Sequence, residues 1–203
     1  MEALDTYTSL PLTIDPSTKS ISSSDPTLNY EIEELNKTVR AFVSLDTPNQ
    51  MPPPPAPVKP QRSAQITKLK ESGNASYKKG QFADAIKMYD LAIQMASTRP
   101  TWEASGLVRE ELSMLYNNRS QALMAQQNWA EAGVDAEISV EMKKMGNVKA
   151  WWRRGQCLRE MGRLGEAVEW VRNGLDFERM GPEKGSVGEL EQLLREIEKG
   201  LAK

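Results

Sequence analysis

Five polar side chains in this sequence have the chemistry and spacing to bind carboxylate groups. They are two lysines, two asparagines and an arginine: Lys70, Asn74, Asn118, Lys149 and Arg153. Lys70 and Asn74 are four residues apart, as are Lys149 and Arg153, so each pair shares one face of a helix. Lysine and arginine supply charge and several N–H donors, and asparagine donates without adding charge. A peptide that ends in an acidic residue presents two carboxylates close together, and these donors predict a site for such an end.

Taken singly, the same residues have a simpler interpretation. Lys149 and Arg153 would be solvated cations on a helix surface, and Asn74 an incidental polar residue. The hypothesis of a binding site therefore depends on elements that bring all five residues together.

Three copies of a helical pair supply those elements. In each copy a small residue precedes an alanine by twelve positions, where two packed helices would touch. The pairs are Gly73 with Ala85, Ser120 with Ala132, and Gly155 with Ala167. The step from Ser120 to Gly155 is 35 residues, close to the roughly 34 of a tetratricopeptide repeat (TPR). In a stacked array the first helices of successive repeats line the concave surface, which would place the five polar residues in one groove.

Two departures from a plain array are expected. The step from Gly73 to Ser120 is 47 residues, so an insert must be accommodated. Residues 97–107 contain Pro100 and Gly106 and lack a sustained apolar period, which predicts a non-helical insert there. After the third repeat, apolar residues at helical spacing predict a helix that caps the array. They are Leu190, Leu193, Leu194, Ile197 and Leu201.

The chain divides into three predicted segments. Residues 1–47 form a small α+β unit, with extended candidates at 7–14 and 20–22 and a helix that starts at Asp25-Pro26. That helix carries an apolar stripe: Ile32, Leu35, Val39 and Phe42. Because so small a unit does not close a core alone, the stripe either packs on the chain's own repeats or docks another subunit. Residues 48–62 are a proline-rich linker, and residues 63–203 are a TPR domain with its capping helix. The predicted fold class is therefore mainly α.

Composition removes several classes of function. The 203 residues include no histidine and one cysteine, so the sequence predicts no cofactor, no metal site and no enzyme of the Ser-His-Asp or Cys-His type. Catalysis by carboxylates alone stays formally open. A net charge of −2 does not call for a nucleic-acid partner. No apolar run approaches the length of a membrane span, and the N-terminus lacks a secretory signal pattern, so the chain is expected in the cytosol.

Three segments resemble the carboxylate-clamp TPR domains of co-chaperones. The matching stretches are Leu69-Lys70-Glu71-Ser72-Gly73-Asn74, Leu115-Tyr116-Asn117-Asn118-Arg119-Ser120 and Lys149-Ala150-Trp151-Trp152-Arg153. The resemblance implies that the five polar residues are the clamp. It also implies their ligand, the Glu-Glu-Val-Asp carboxy-terminus of cytosolic heat-shock chaperones of the seventy- or ninety-kilodalton class.

The stretches Ala92-Ile93-Gln94-Met95-Ala96 and Pro100-Thr101-Trp102-Glu103-Ala104, with the overall length and order of segments, are similar to the small TPR subunit of the fungal Sec complex. That resemblance implies a non-catalytic adaptor in post-translational translocation, on the cytosolic face of the endoplasmic reticulum, without insertion into the membrane. Residues 1–47 would then dock a membrane-anchored Sec subunit, and the seventy-kilodalton chaperones would be the preferred partners. The alternative is a soluble TPR co-chaperone attached to no membrane complex.

Overall fold

A computed structural model describes residues 9–44, 60–100, 103–181 and 187–201. The chain forms two compact units, a small N-terminal one and a larger helical one. In the N-terminal unit, β1 (Leu12–Ile14) pairs antiparallel with β2 (Ile21–Ser23), and a short 3₁₀ turn at Pro26–Leu28 leads into α1 (Asn29–Val43). The predicted fold class, mainly α with a small α+β unit first, is confirmed.

Local polar contacts shape the N-terminal unit. The carboxylate of Asp15 accepts hydrogen bonds in the β1–β2 turn from the hydroxyl of Ser17, 2.6 Å away, and from the backbone N–H of Thr18, 3.1 Å away. The hydrogen bond from the Ser17 hydroxyl is the main reason that the pKa of Asp15 is lowered to about 2. On the other side of the hairpin, the amide of Asn36 on α1 bonds both the N–H and the carbonyl of Ile21, at 2.8 Å each. These bonds tie α1 to β2.

The larger unit is an array of three helical pairs and one further helix. The helices are α2 (Pro60–Lys78), α3 (Phe82–Ser97), α4 (Ser105–Ala125), α5 (Trp129–Met142), α6 (Val148–Glu160), α7 (Leu164–Arg179) and α8 (Val187–Leu201). The pairs are α2 with α3, α4 with α5, and α6 with α7, and each pair packs against the next. This is the predicted set of three TPR units. The three alanines of the repeat pattern, Ala85, Ala132 and Ala167, are fully buried.

The turn between the two helices has a residue with left-handed backbone conformation at the same position in every repeat. It is Gly80 in the first repeat, Gln127 in the second and Gly162 in the third. The next residue donates its N–H to a carbonyl five residues back, as from Gln81 to Ser76 at 3.0 Å, which satisfies an otherwise free carbonyl at the helix end. Only the middle repeat places a side chain on this left-handed backbone.

The break between α3 and α4 falls within residues 97–107, as predicted, since α3 ends at Ser97 and α4 begins at Ser105; the exception is Gly106, which lies inside α4. Helix α4 begins at Ser105 and runs through Gly106, about two turns longer at its N-terminus than α6 when both are aligned on their small residues. Arg99, in the loop before α4, donates two hydrogen bonds of 2.8 Å to the carboxylate of Glu111 and one of 2.8 Å to Ser63. These contacts, with burial of Leu112, stabilise the longer helix despite the local glycine signal.

Helix α8 caps the array as predicted. Leu190, Leu193 and Ile197 are buried in one core with α6 and α7, whereas Leu201 is exposed. The proline-rich linker falls largely in residues 45–59, which lie outside the described residues, and α2 begins at Pro60, within the last three positions assigned to that linker. The segment boundaries therefore stay a prediction.

Candidate functional site

The five predicted site residues lie on the first helix of each repeat. Lys70 and Asn74 are on α2, Asn118 is on α4, and Lys149 and Arg153 are on α6. Lys149 is exposed, Lys70, Asn74 and Asn118 are half-buried, and Arg153 is buried. Arg153 is therefore not a solvated surface cation, whereas Lys149 is accessible to solvent.

Two of the five residues contact each other directly. The amide nitrogen of Asn118 donates to the amide oxygen of Asn74 across 3.2 Å, and the hydroxyl of Tyr89 donates to the same oxygen across 2.7 Å. Since this oxygen is occupied within the protein, the Asn74 NH₂ group is the part of the amide left to face a ligand. Gly73 makes the arrangement possible, because a Cβ there would lie 2.6 Å from the Tyr89 ring.

Arg153 is a buried cation whose hydrogen-bond partners are neutral. Its side chain donates to the amide oxygen of Asn117 and, at 2.8 Å, to that of Gln121, both on α4. The residue is 8% exposed, and burial lowers the pKa of its guanidinium to about 10. Within the described ranges, no carboxylate lies within ion-pair distance of this guanidinium.

Other sheltered arginines in the domain are paired. Arg99 binds both oxygens of Glu111, and Arg119 binds both oxygens of Asp135 at 2.7 Å and also contacts Asp90. Buried charges are normally compensated in this way, because an isolated charge loses its hydration. Arg153 differs from them in having donors and charge available for an anion from outside the domain.

A groove of about 720 Å³ opens beside Arg153. Lys149 and Arg153 line it with Trp152, and the other three predicted residues do not. Its remaining walls come from α2, α4, α5, α6 and α8: Tyr77, Gln121, Met124, Ala125, Trp129, Gln156, Glu189, Gln192, Leu193 and Glu196. The site therefore has a part around Asn74 and Asn118 and a part around Arg153.

Tyr89 connects the two parts. Its hydroxyl donates to Asn74, and its phenol group interacts electrostatically with Arg153. Burial is the main cause of the raised pKa of Tyr89, so this hydroxyl stays protonated and can donate at neutral pH. All three repeats therefore contribute N–H donors or cations to the site, and α8 adds the carboxylates of Glu189 and Glu196 to the groove wall.

The tandem tryptophans have different roles. Trp152 lines the groove. Trp151 is buried, with its ring centroid 4.5 Å from that of Trp170, and its indole N–H donates to the carbonyl of Lys144 across 2.9 Å. A Cβ on Gly174 would approach the Trp151 ring within 2.9 Å, so a small residue in α7 accommodates this ring.

Sequence reasoning missed Asn117, Gln121 and Tyr89. Asn117 and Gln121 are four residues apart on α4, the same spacing that identified the clamp pairs, so both could have been predicted to share a face. Tyr89 belongs to a second helix of a repeat, and a sequence carries no local signal that its hydroxyl reaches the first.

The four residues of the stripe predicted for docking on α1 differ in their exposure to solvent. Ile32 is 9% exposed, so it belongs to the buried side of the helix and does not present a contact surface. Val39 and Phe42 are half-buried, and Leu35 is 45% exposed. The unit also exposes large apolar side chains that the prediction did not include: Leu10, Leu12, Ile14, Tyr30 and Val43.

The described residues do not favour a metal site, a membrane span or a reactive thiol. Among the side chains that the structure describes, no group of three His, Cys, Asp or Glu residues is placed to hold a metal ion. None of the helices in the described ranges is apolar over a length that would cross a membrane. Cys157 is buried, and burial raises the pKa of its thiol to about 12, which disfavours the reactive thiolate.

Comparison with known proteins agrees with this architecture. Residues 148–179 match the tetratricopeptide repeat family model. A chain in the cryo-EM structure of the Sec complex from S. cerevisiae has a TM-score of 0.69 over 94% of this chain and 97% of its own length; its 23% identity shows a shared fold. The first TPR of Spaghetti (RPAP3), solved with the HSP90 peptide SRMEEVD, is 25% identical, with a TM-score of 0.54 over 70% of this chain and 96% of its own.

A related protein shows the family to which this chain belongs. The ER protein translocation subcomplex subunit sec67 of Schizosaccharomyces pombe is 34% identical over 145 residues, which are 70% of this chain and 75% of sec67. An alignment of this length extends well beyond a single repeat. The chain therefore belongs to the family of sec67, as a TPR protein that resembles the small subunit of the fungal Sec complex.

Proposed function

We propose that this protein is a non-catalytic adaptor of the post-translational translocation complex at the cytosolic face of the endoplasmic reticulum. Its TPR groove binds the acidic EEVD carboxy-terminus of cytosolic heat-shock chaperones, with the seventy-kilodalton class favoured, and so delivers precursor proteins. The uncompensated charge of Arg153 carries the proposal, because a buried guanidinium with neutral partners is suited to a carboxylate ligand.

Two similarities support the two halves of this proposal. The Spaghetti TPR binds a peptide that ends in EEVD, and Lys70, Asn74, Asn118, Lys149 and Arg153 match the clamp pattern of such domains. The relative from S. pombe is a subunit of a translocation subcomplex. Adaptor function follows if the groove holds the chaperone tail while another surface holds the complex.

The groove is tested by its need for the terminal carboxylate. The full-length chain is titrated calorimetrically with a peptide ending in Glu-Glu-Val-Asp and with the same peptide amidated at its C-terminus. We expect amidation to weaken binding by about 10-fold or more, since it removes charge-assisted hydrogen bonds worth about 1.5–3 kcal/mol. Equal affinity for the two peptides, or no binding of either, would contradict the proposed ligand.

The N-terminal unit is the proposed attachment to a membrane-anchored Sec subunit. Large apolar side chains concentrate there on the surface, with Tyr30 75% exposed and Leu35 45% exposed. A small unit that leaves such residues in solvent is suited to burying them against a partner. Ile32 supports this surface from within, while Leu35, Val39 and Phe42 contribute to it.

Leu35→Asp is expected to weaken attachment by about 10-fold, because a buried interface would then include an unpaired carboxylate. The measurement is co-sedimentation of the full-length protein with endoplasmic-reticulum membranes. Asn29→Asp adds the same charge at another exposed position of α1 and serves as the control. If wild type and both variants sediment poorly while still binding the chaperone peptide, the protein is the soluble co-chaperone of the alternative hypothesis.

A further inference from the structure

Arg153 is oriented by neighbours that hold it without neutralising it. The acceptors are two amide oxygens of α4, on Asn117 and Gln121. An amide oxygen accepts an N–H as a carboxylate oxygen does but carries no full charge. The guanidinium is thus fixed in place with its positive charge intact.

The orientation of the Asn117 amide is set by a chain of hydrogen bonds that starts at the backbone. The NH₂ group of Asn147 donates to the carbonyls of Ser139, at 3.1 Å, and Lys143, at 3.0 Å. A backbone carbonyl can only accept, so the oxygen of the Asn147 side chain must point the other way. That oxygen lies 3.5 Å from the NH₂ nitrogen of Asn117, and the Asn117 oxygen is left to face Arg153.

The starting point of this chain is itself rigid. Asn147 is buried, and its backbone N–H donates to the carboxylate of Glu178 across 2.8 Å. The N–H of Gly146 donates to the second oxygen of the same carboxylate across 2.9 Å, and Glu178 is fully buried. The loop between α5 and α6 is therefore held by Glu178 of α7, and the Asn147 amide cannot reverse without breaking its buried hydrogen bonds to Ser139.

We propose that Asn117 is a positioning residue that aims Arg153 at a ligand carboxylate while leaving its charge uncompensated, an assignment that rests on the proposed function of the groove. An aspartate at this position would keep the shape and the acceptor but supply the missing negative charge. Arg153 would then be paired within the protein, as Arg99 is paired with Glu111. The peptide carboxylate would have to compete with that internal partner.

The test compares isosteric amide-to-carboxylate changes in the full-length protein. Asn117→Asp is expected to weaken binding of the EEVD peptide by about 10-fold or more and to leave the melting temperature unchanged or higher. The preference for the acid over the amidated peptide should also become smaller, which a merely structural role would not produce. Gln121→Glu makes the same change at the second acceptor and carries the test if Asn117→Asp does not fold.

Gln192→Glu is the matched control, because Gln192 lines the groove from α8 and is not hydrogen-bonded to Arg153. It adds the same charge to the groove, and only a few-fold loss is expected. An equal loss in Gln192→Glu would overturn the assignment in favour of general repulsion, as would wild-type affinity in a folded Asn117→Asp or Gln121→Glu. If the wild type does not distinguish acid from amidated peptide, the proposed function fails before the role of Asn117 is reached.

Discussion

Replacing Arg153 with methionine should reduce affinity for an EEVD peptide by about 100-fold without destabilising the domain. A charge-assisted pair of hydrogen bonds to a carboxylate in a sheltered groove contributes up to about 3 kcal/mol, which corresponds to that factor. The fold itself loses little, because burial of this guanidinium is unfavourable and its partners are neutral. Gln121 lines the groove, so its oxygen can bind water once the arginine is removed.

The stability of the protein should depend on pH because the guanidinium of Arg153 is buried without a charged partner. The pKa of Arg153 is about 10 in the folded protein, below the ordinary value of an arginine, so folding disfavours the charged form. The resulting cost in stability is complete below pH 10 and decreases as the pH rises above 10 towards the ordinary pKa of arginine. The stability of the wild type relative to Arg153→Met should therefore rise over that range, as measured by urea unfolding of both proteins.

Arg99→Met is the matched comparison. This substitution also removes a buried arginine, but one that is paired with Glu111, so it leaves an uncompensated carboxylate and should cost about 3–5 kcal/mol. Calorimetric titration and thermal melts of both variants separate the two cases. A stability loss in Arg153→Met as large as in Arg99→Met would contradict the view that Arg153 lacks a partner, and retained affinity would remove Arg153 from the site.

Gly155→Ala adds one methyl group and should destabilise the array more than any other change of this size. A Cβ at this position of α6 would lie 2.5 Å from Val171 on α7 and 3.1 Å from Leu193 on α8, and both side chains are buried. Overpacking of this kind costs about 1–3 kcal/mol of stability. The melting temperature should fall by about 2–4 °C for each kcal/mol lost. Gly155 is two residues from Arg153, so peptide affinity should fall too.

Gly165→Ala is the control for helix propensity. It is on α7, and a Cβ there meets no atom within 4 Å, so the change should not destabilise the protein. Combining Gly155→Ala with Val171→Ala opens the blocked space and should recover part of the lost stability. Similar melting temperatures for Gly155→Ala and Gly165→Ala would show that α6, α7 and α8 do not approach as closely as described.

The repeat pattern was predictable because it is a matter of side-chain size. Gly73, Ser120 and Gly155 mark helix contacts wherever they occur in the sequence, and the structure places all three in buried positions. The spacing of Leu190, Leu193 and Ile197 likewise predicted the capping helix. These signals survive in the sequence because each depends on a contact that repeats.

The start of α4 and the details of the site could not be predicted in the same way. Pro100 and Gly106 are local helix-breaking signals, but the pairing of Arg99 with Glu111 favours a helix from Ser105. The burial of Arg153 depends on helices from other repeats, and the polarity of Asn117 depends on carbonyls in a different loop. Local propensity does not encode such long-range relations.

The left-handed turn at Gln127 is a weak point of the array, which a ligand bound in the proposed groove would stabilise. A residue with a side chain in this conformation costs about 1–2 kcal/mol relative to the usual backbone, and glycine avoids that cost in the flanking repeats. Stability in repeat arrays is nearly additive between neighbours, so cooperativity between the outer repeats passes through the middle one. A chaperone tail that contacts α2, α4 and α6 would stabilise the array across this junction. The repeats would then unfold more cooperatively with the tail bound than without it.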